Sequence, residues 1–249
     1  MANQNFNTFG RGGVIADQAT FDAGLRAHMI KVYNYMASGL ALSGIVAFAL
    51  FNVPSLAALF FEVTPRGVAG LNVLGWIAIF APFGLLLLMG FRAAQMSVGG
   101  LQAIYWAVTA LMGVSLSLLL FRYTGASVAR AFFVTAASFG ALSLYGYTTK
   151  KDLSAFGKFL FMGLIGLILA SLVNMFFPSG TMTFIISVAG VLIFSGLIAY
   201  DTQRIKEQYA DAWGSDTAEK VAIFGALSLY LDFVNLFQFL MSFMGQSRD

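Results

Sequence analysis

Two acidic residues, Asp201 and Asp232, stand inside long apolar stretches of the sequence. A charge is costly in such a stretch, and in membrane proteins it usually marks a proton or ion pathway. Two carboxylates a few ångströms apart cannot both ionise cheaply, so the pair would share a proton and titrate as a unit. Once both are ionised, they would offer oxygen ligands to a hard cation such as calcium. The sequence therefore predicts a pH-sensitive cation site, provided that the fold brings the two acids together.

Polar residues accompany the second acid along its stretch. Asp232 lies twelve residues beyond Lys220, which is about 18 Å along a helix and near the middle of a membrane. Asn235 and Gln238 follow on roughly the same helical face. A helix with a polar stripe lines a cavity or a bundle centre and does not face lipid. We therefore expect Asn235 and Gln238 to be pore-lining.

The residues also allow a plainer interpretation of both acids. A lone buried aspartate can be protonated, or hydrogen-bonded to a hydroxyl across a helix interface, with no further role. Three other charges within the apolar stretches lie near helix ends, where their side chains can reach the headgroups; these are Arg130, Lys158 and Arg204. His28 is expected to be solvated, as is the acidic segment that holds Asp211, Asp216 and Glu219.

Composition decides the solvent of the whole chain. Of its 249 residues, 59% are hydrophobic and only 10% charged, and the mean hydropathy is +0.82. A soluble domain has about 25% charged residues, so this chain belongs in lipid. The net charge of +3 is spread along the chain, which argues against nucleic acid. Cysteine is absent, which excludes disulfides, thiol nucleophiles and thiolate metal sites.

Seven apolar windows predict an all-α integral membrane protein with seven transmembrane helices. Residues 1–32 are interpreted as a polar cytoplasmic tail, with a short interfacial helix over 20–31, and residues 33–245 as the transmembrane domain. The punctuation between windows is rich in Gly, Pro and charged residues. The predicted spans are 33–51, 68–90, 99–121, 127–147, 156–177, 181–203 and 221–244.

Orientation follows from the distribution of Lys and Arg. With the N-terminus inside, four basic residues fall on the outer side: Arg66, Arg122, Arg130 and Arg248. The other ten fall on the inner side: Arg11, Arg26, Lys31, Arg92, Lys150, Lys151, Lys158, Arg204, Lys206 and Lys220. The positive-inside rule predicts a cytoplasmic N-terminus and, after seven spans, an external C-terminus in the cell's inner (plasma) membrane.

Four segments carry a resemblance to a known family. Residues 196–203 (GLIAYDTQ) and 227–237 (LSLYLDFVNLF) are similar to the sixth- and seventh-helix motifs of the Bax inhibitor (transmembrane Bax inhibitor motif) family. Residues 149–154 (TKKDLS) resemble its loop before helix five, and residues 31–33 its entry into helix one. The resemblance runs from about residue 20 to the C-terminus and indicates a bacterial-type member.

The resemblance implies both a fold and a function. The fold would be two three-helix layers around a central last helix. The function would be a pH-sensitive calcium leak gated by an aspartate pair, here Asp201 and Asp232, with calcium held transiently as the permeant ion and no cofactor. In some members an arginine at the inner end of helix two latches onto the first aspartate, and Arg92 is the corresponding candidate.

Two other function classes stay open from the sequence. One is an interaction protein, since some bacterial relatives are thought to modulate a membrane-anchored quality-control protease, here with the N-terminal tail as the contact. The other is an intramembrane aspartyl protease, in which glycines flank the second aspartate as Gly-x-Gly-Asp. In this chain Leu229, Tyr230 and Leu231 flank it, which are too bulky for that role, and we expect no enzyme.

Overall fold

The fold is a helical bundle, seen in a computed structural model that describes residues 8–64, 67–209 and 214–248. The elements are α1 (Thr8–Asn52), α2 (Pro54–Phe60), β1 (Phe61–Thr64), β2 (Gly67–Leu71), α3 (Val73–Arg92), a 3-10 turn (Ala93–Gln95), α4 (Val98–Arg122), α5 (Gly125–Thr148), α6 (Ser154–Phe176), α7 (Gly180–Gln208) and α8 (Ser215–Met244). Within these residues, seven helices are long and apolar enough to cross a membrane: α1 from Thr20, α3, α4, α5, α6, α7 and α8. The prediction of an all-α, seven-span membrane protein is confirmed.

Two layers of three helices surround α8. In one layer α4 packs against both α1 and α3, and in the other α7 packs against both α5 and α6. Helix α8 contacts α7, α1, α5 and α4. In its most apolar stretch 67% of residues are buried, against at most 39% in the other spanning helices of the described chain. The last helix is therefore the core of the bundle, and a polar residue on it meets protein and not lipid.

Contacts of Arg248 and Glu219 show which helix ends lie together at each end of the bundle. The backbone N–H of Arg248 donates to the carbonyl oxygen of Arg122 at 2.9 Å, and its guanidinium lies 4.7 Å from the centre of the Phe51 ring. The C-terminus therefore lies beside the ends of α1 and α4. The start of α8 lies at the opposite end, where Glu219 pairs with Lys31 of α1 at 2.6 Å.

Helix α1 corrects the predicted N-terminal boundary. The sequence suggested a tail over residues 1–32 with a separate short helix over 20–31, but one helix runs from Thr8 to Asn52 without a break at residue 32. Met29 and Val32 are buried in the main core, so this helix already packs into the bundle in the turn before the first predicted span. His28 was expected to be solvated, yet it is only 6% exposed. Residues 1–7 of the expected tail lie outside the described residues.

The second span begins later than predicted because a β-hairpin precedes it. Strands β1 and β2 are antiparallel and include residues 68–71, which had been assigned to the helix. Asn72 then caps α3, because its Oδ1 accepts from the N–H of Gly75 at 2.9 Å. Its Nδ2 donates to the carbonyl oxygens of Ala58 and Leu59 at 3.2 and 3.0 Å. These bonds set the helix start at Val73 and tie it to α2.

Helices α5 and α7 approach closely just before the first acid. A Cβ on Gly146 would lie 2.2 Å from the carbonyl oxygen of Ala199, so only glycine permits this packing. Ala199 is two residues before Asp201 on α7. The contact therefore fixes the position of α7 where it presents its carboxyl group to α8.

Candidate ion-binding site

Asp201 and Asp232 meet between α7 and α8. Their exposed fractions are 6% and 5%, and their carboxyl groups lie within hydrogen-bonding reach of each other. The predicted sixth span ended at residue 203, but α7 continues past Lys206 to Gln208. Asp201 therefore stands about two turns inside the helix. The fold brings the two acids together.

Ser228 belongs to the same site and was not identified from the sequence. It lies four residues before Asp232, on the same face of α8, and its Oγ donates to Asp201 Oδ2 at 2.6 Å. Asp201 therefore touches two successive turns of α8 and fixes how α7 and α8 are aligned. The i,i+4 spacing of Ser228 and Asp232 was the available signal, but it means little until a partner helix is known.

The cation beside Asp201 is Arg204, one turn further along α7. Its Nη2 lies 3.4 Å from Asp201 Oδ1 and 3.4 Å from Ser228 Oγ. Its guanidinium also stands 5.7 Å from the centre of the Tyr200 ring. The sequence suggested that this side chain extends to the headgroups, yet the i,i+3 spacing to an acid allowed a pair within the helix.

Arg92, the latch implied by the family resemblance, lies elsewhere. It is exposed at the C-terminal end of α3. In the described chain, the ion pair of Asp201 within 4 Å is made with Arg204. The structure therefore does not bring Arg92 to the carboxyl pair, and its role as a latch stays a prediction.

Two buried polar atoms of the site make no conventional hydrogen bond. They are Oδ2 of Asp232 and Nε of Arg204. A carboxylate has no proton to donate, so the contact between Asp232 and Asp201 becomes a hydrogen bond only when one of them is protonated. A buried oxygen without a donor costs about 1–3 kcal/mol. A shared proton would supply that missing donor.

A cavity of about 1030 Å³ opens beside the pair. It is bounded by α6, α7 and α8, with Phe83 of α3 at its margin, and its walls are mainly apolar. Asn235 lines it, and because its Nδ2 donates to the carbonyl oxygen of Leu231 at 2.8 Å, its side-chain oxygen is available as an acceptor. Gln238, the other predicted pore residue, is half-buried on α8 and is not in this lining.

The residues that follow Asp201 fasten α7 to its other neighbours. The hydroxyl of Thr202 lies 3.1 Å from that of Ser143 on α5, which is 2.7 Å from the hydroxyl of Tyr33 on α1. The buried Gln203 accepts from the N–H of Leu153 and donates to the carbonyl oxygen of Lys151, both at 2.8 Å. Asp201, Thr202 and Gln203 thus bind three different neighbours, which explains why these residue types stand together.

A seven-helix membrane protein with a buried carboxylate pair on its last two helices is the class that this fold and site define. The chain belongs to the Bax inhibitor-like family: its residues 25–249 match the family model described as "Inhibitor of apoptosis-promoting Bax1". The resemblance found in the motifs is thereby confirmed.

Bacterial proteins are similar over nearly the whole length. A Caulobacter vibrioides protein is 51% identical over 98% of this chain and 100% of its own length. The inner membrane protein YbhL of Escherichia coli K12 is 41% identical over 91% of this chain and 94% of its own length. A membrane protein of Streptococcus pyogenes is 36% identical, over 91% and 95%.

Proposed function

We propose that this protein is a pH-sensitive calcium leak channel gated by Asp201 and Asp232. The observation that carries the proposal is the contact of two buried carboxyl groups, one with an oxygen that lacks a donor, beside a cavity. When the pair shares a proton, one hydrogen bond joins α7 to α8 and the path is closed. When both are ionised, their repulsion loosens the contact and favours a divalent cation.

The site suits a cation that passes and does not stay. Calcium takes about six to eight oxygen ligands, whereas no group of three or more His, Cys, Asp or Glu side chains forms a metal site in the described residues. Two carboxylates, the hydroxyl of Ser228 and the side-chain oxygen of Asn235 would supply part of the shell, and water the rest. Magnesium should compete poorly because it gives up its waters reluctantly.

The other function classes have less support. The interaction with a membrane protease relied on residues 1–32 as a free tail, and the helix from Thr8 removes most of that tail. For a protease, the bulky side chains Leu231 and Phe233 flank Asp232 where substrate backbone would have to approach. We therefore take the role to be passive ion permeation and not catalysis.

The decisive measurement is calcium flux into proteoliposomes as a function of pH. Asp201→Asn or Asp232→Asn removes one titrating group, so the rise in flux expected between about pH 6 and 8 should flatten. Asp216→Asn is the matched control, because Asp216 is exposed in the first turn of α8. If both single variants fold and keep the wild-type pH step, the proposed gate is wrong.

The proposed orientation places the N-terminus in the cytoplasm and the C-terminus outside the plasma membrane. The ten-to-four distribution of basic residues is its basis. A reporter fused after Arg248 should report the exterior, and one inserted between α7 and α8 should report the cytoplasm. A cytoplasmic signal from the C-terminal fusion would contradict the orientation.

A further inference from the structure

The cavity beside the carboxyl pair has a neighbour. A second cavity, of about 720 Å³, lies between α3, α7 and α8 and reaches Gln208 and Val221 near the loop that joins α7 to α8. We call the first the dyad cavity and the second the loop-side cavity. Three residues line both of them, namely Arg204, Ser228 and Leu231. These three side chains therefore form the partition between the two cavities.

Arg204 is the charged member of this partition. Its side chain is 42% exposed, and its contacts to Asp201 and Ser228 are both 3.4 Å long, well beyond the usual length of a charge-assisted hydrogen bond. Its Nε is buried without a partner. A guanidinium can use its donors in a rigid fork, whereas here both contacts to the site are made by Nη2 alone. The arginine is therefore held in place by few and long contacts.

The charged groups around the partition come from three elements. Asp201 and Arg204 stand on α7, Asp232 on α8 and Lys158 on α6, while α3 contributes only Phe83 and uncharged residues to the two linings. A cation that enters from the loop-side cavity meets Arg204 before it meets either carboxyl group. The guanidinium then repels it electrostatically.

We infer that Arg204 is the gate between the loop-side cavity and the dyad cavity. While it is paired with Asp201 and Ser228, its guanidinium fills and charges the partition. When it leaves those contacts, the two cavities join and the carboxyl pair becomes accessible from the loop that follows Gln208. The physiological role of this gate rests on the proposed calcium leak, but access through the gate can be tested separately.

Access can be measured without calcium, because the chain contains no cysteine. Asn235→Cys places a single thiol in the dyad cavity. A small, positively charged methanethiosulfonate reagent is then added to vesicles on the side that exposes the α7–α8 loop. Arg204→Gln in this background should speed modification at least about tenfold, because the repulsion between the guanidinium and the cationic reagent is lost. Arg204→Lys should restore slow modification in part, since it keeps the charge but not the fork.

Two matched controls separate gating from general loosening. Arg130→Gln removes an exposed arginine outside both linings, and Lys150→Gln removes an exposed cation that is also outside both. Neither should change the rate by more than about twofold, as expected for exposed charges. A general loosening would instead raise the rate in Arg204→Gln for reagent added on either side of the membrane.

The outcomes distinguish the gate from the leak. Unchanged thiol access in a folded Arg204→Gln protein overturns the gate, whatever the calcium flux. Faster access with no calcium flux at any pH supports the gate and overturns the calcium proposal. If Arg204→Gln does not fold, the same comparison is made with Arg204→Met, which keeps much of the side-chain length without the charge, and a rate equal to that of the parent protein then also overturns the gate.

Discussion

Two polar residues of α8, Tyr230 and Asp232, are two positions apart yet lie in contrasting surroundings. The hydroxyl of Tyr230 meets Ser43 Oγ of α1 at 2.7 Å, and Ser43 Oγ in turn donates to the carbonyl oxygen of Thr109 on α4 at 2.6 Å. Because the Ser43 hydroxyl donates its proton to the Thr109 carbonyl, the Tyr230 hydroxyl is the donor of the first bond. At Asp232, by contrast, one carboxyl oxygen has no donor. The hydrogen bonds are therefore complete on one side of α8 and incomplete on the other.

The difference separates a structural contact from a site that can change state. On the α1–α4 side, Ser43, Thr109 and Tyr230 are fully buried and bonded in one arrangement, which favours a single structure. On the α7 side, the bonding of Asp232 depends on a proton, and that of Arg204 on long contacts. Sites that must move or bind are commonly less stable than the scaffold that carries them. Three predictions test this contrast.

The largest loss of stability is expected from crowding the α1–α4 contact. A Cβ on Gly39 would lie 2.4 Å from the hydroxyl of Tyr105, which donates to the carbonyl oxygen of Tyr35 at 2.6 Å. Gly39→Ala should therefore lower the free energy of unfolding by about 1–3 kcal/mol. Gly44→Ala is the control on the same helix, because a Cβ added there would meet no atom within 4 Å, and it should be neutral or stabilising by up to about 1 kcal/mol.

Unfolding in a detergent series measures both glycine variants. Equal stability of the Gly39→Ala and Gly44→Ala proteins would mean that the α1–α4 contact adapts freely. The claim that the α1–α4 side of α8 is rigid would then be wrong.

A smaller effect on the free energy of unfolding is expected from single polar substitutions: a loss at Tyr230, and no loss or a gain at Asp232. Tyr230→Phe removes the donor to Ser43 and should cost about 1 kcal/mol. Asp232→Asn should cost nothing or stabilise the protein above neutral pH, because the amide can donate to Asp201 without a shared proton. Thermal unfolding at two pH values measures both changes. A loss at Asp232→Asn as large as that at Tyr230→Phe would show that the acid is merely structural.

The smallest effect is expected at the exposed end of the bundle. Lys31 and Glu219 pair at 2.6 Å with side chains 50% and 19% exposed, and Glu219 also accepts from Tyr35 at 2.6 Å. A double-mutant cycle with Lys31→Met and Glu219→Gln should give about 0.2–1 kcal/mol, and less at high salt. A coupling energy well above that range would mean that this exposed pair stabilises the fold as strongly as the buried α1–α4 contacts do.

The sequence indicated the class of site because its signals are local. Asp232 is deep in an apolar run and Asp201 lies in the preceding one, so the two could meet if neighbouring helices brought them to the same depth. The partners Ser228 and Arg204 were not recognised as such. Ser228 has an ordinary residue type for its position, and only the rotation of α7 against α8 turns it toward Asp201. Arg204 stands three residues from Asp201 on the same helix, so its spacing alone already permitted the pair. Arg92 was favoured by the family resemblance, yet the fold leaves it exposed on α3.

The limits of the helices and strands were likewise only partly predictable from the sequence. Hydropathy located the seven spans, since transfer into lipid is close to a sum over residues. It could not show that α1 already begins at Thr8 or that residues 68–71 form a strand. The strand depends on long-range contacts, such as the bonds from Asn72 to Ala58 and Leu59.

By itself, the sequence determined that the chain lies in a membrane, that it crosses seven times and that two acids interrupt its last two spans. These properties are set by composition and by distance along the chain. The tertiary structure decided what meets the acids from other helices: a serine from α8 at Asp201 and an apolar-walled cavity against α6. A hydrogen bond depends on helix rotation and on ångström-scale separations, which no linear pattern records.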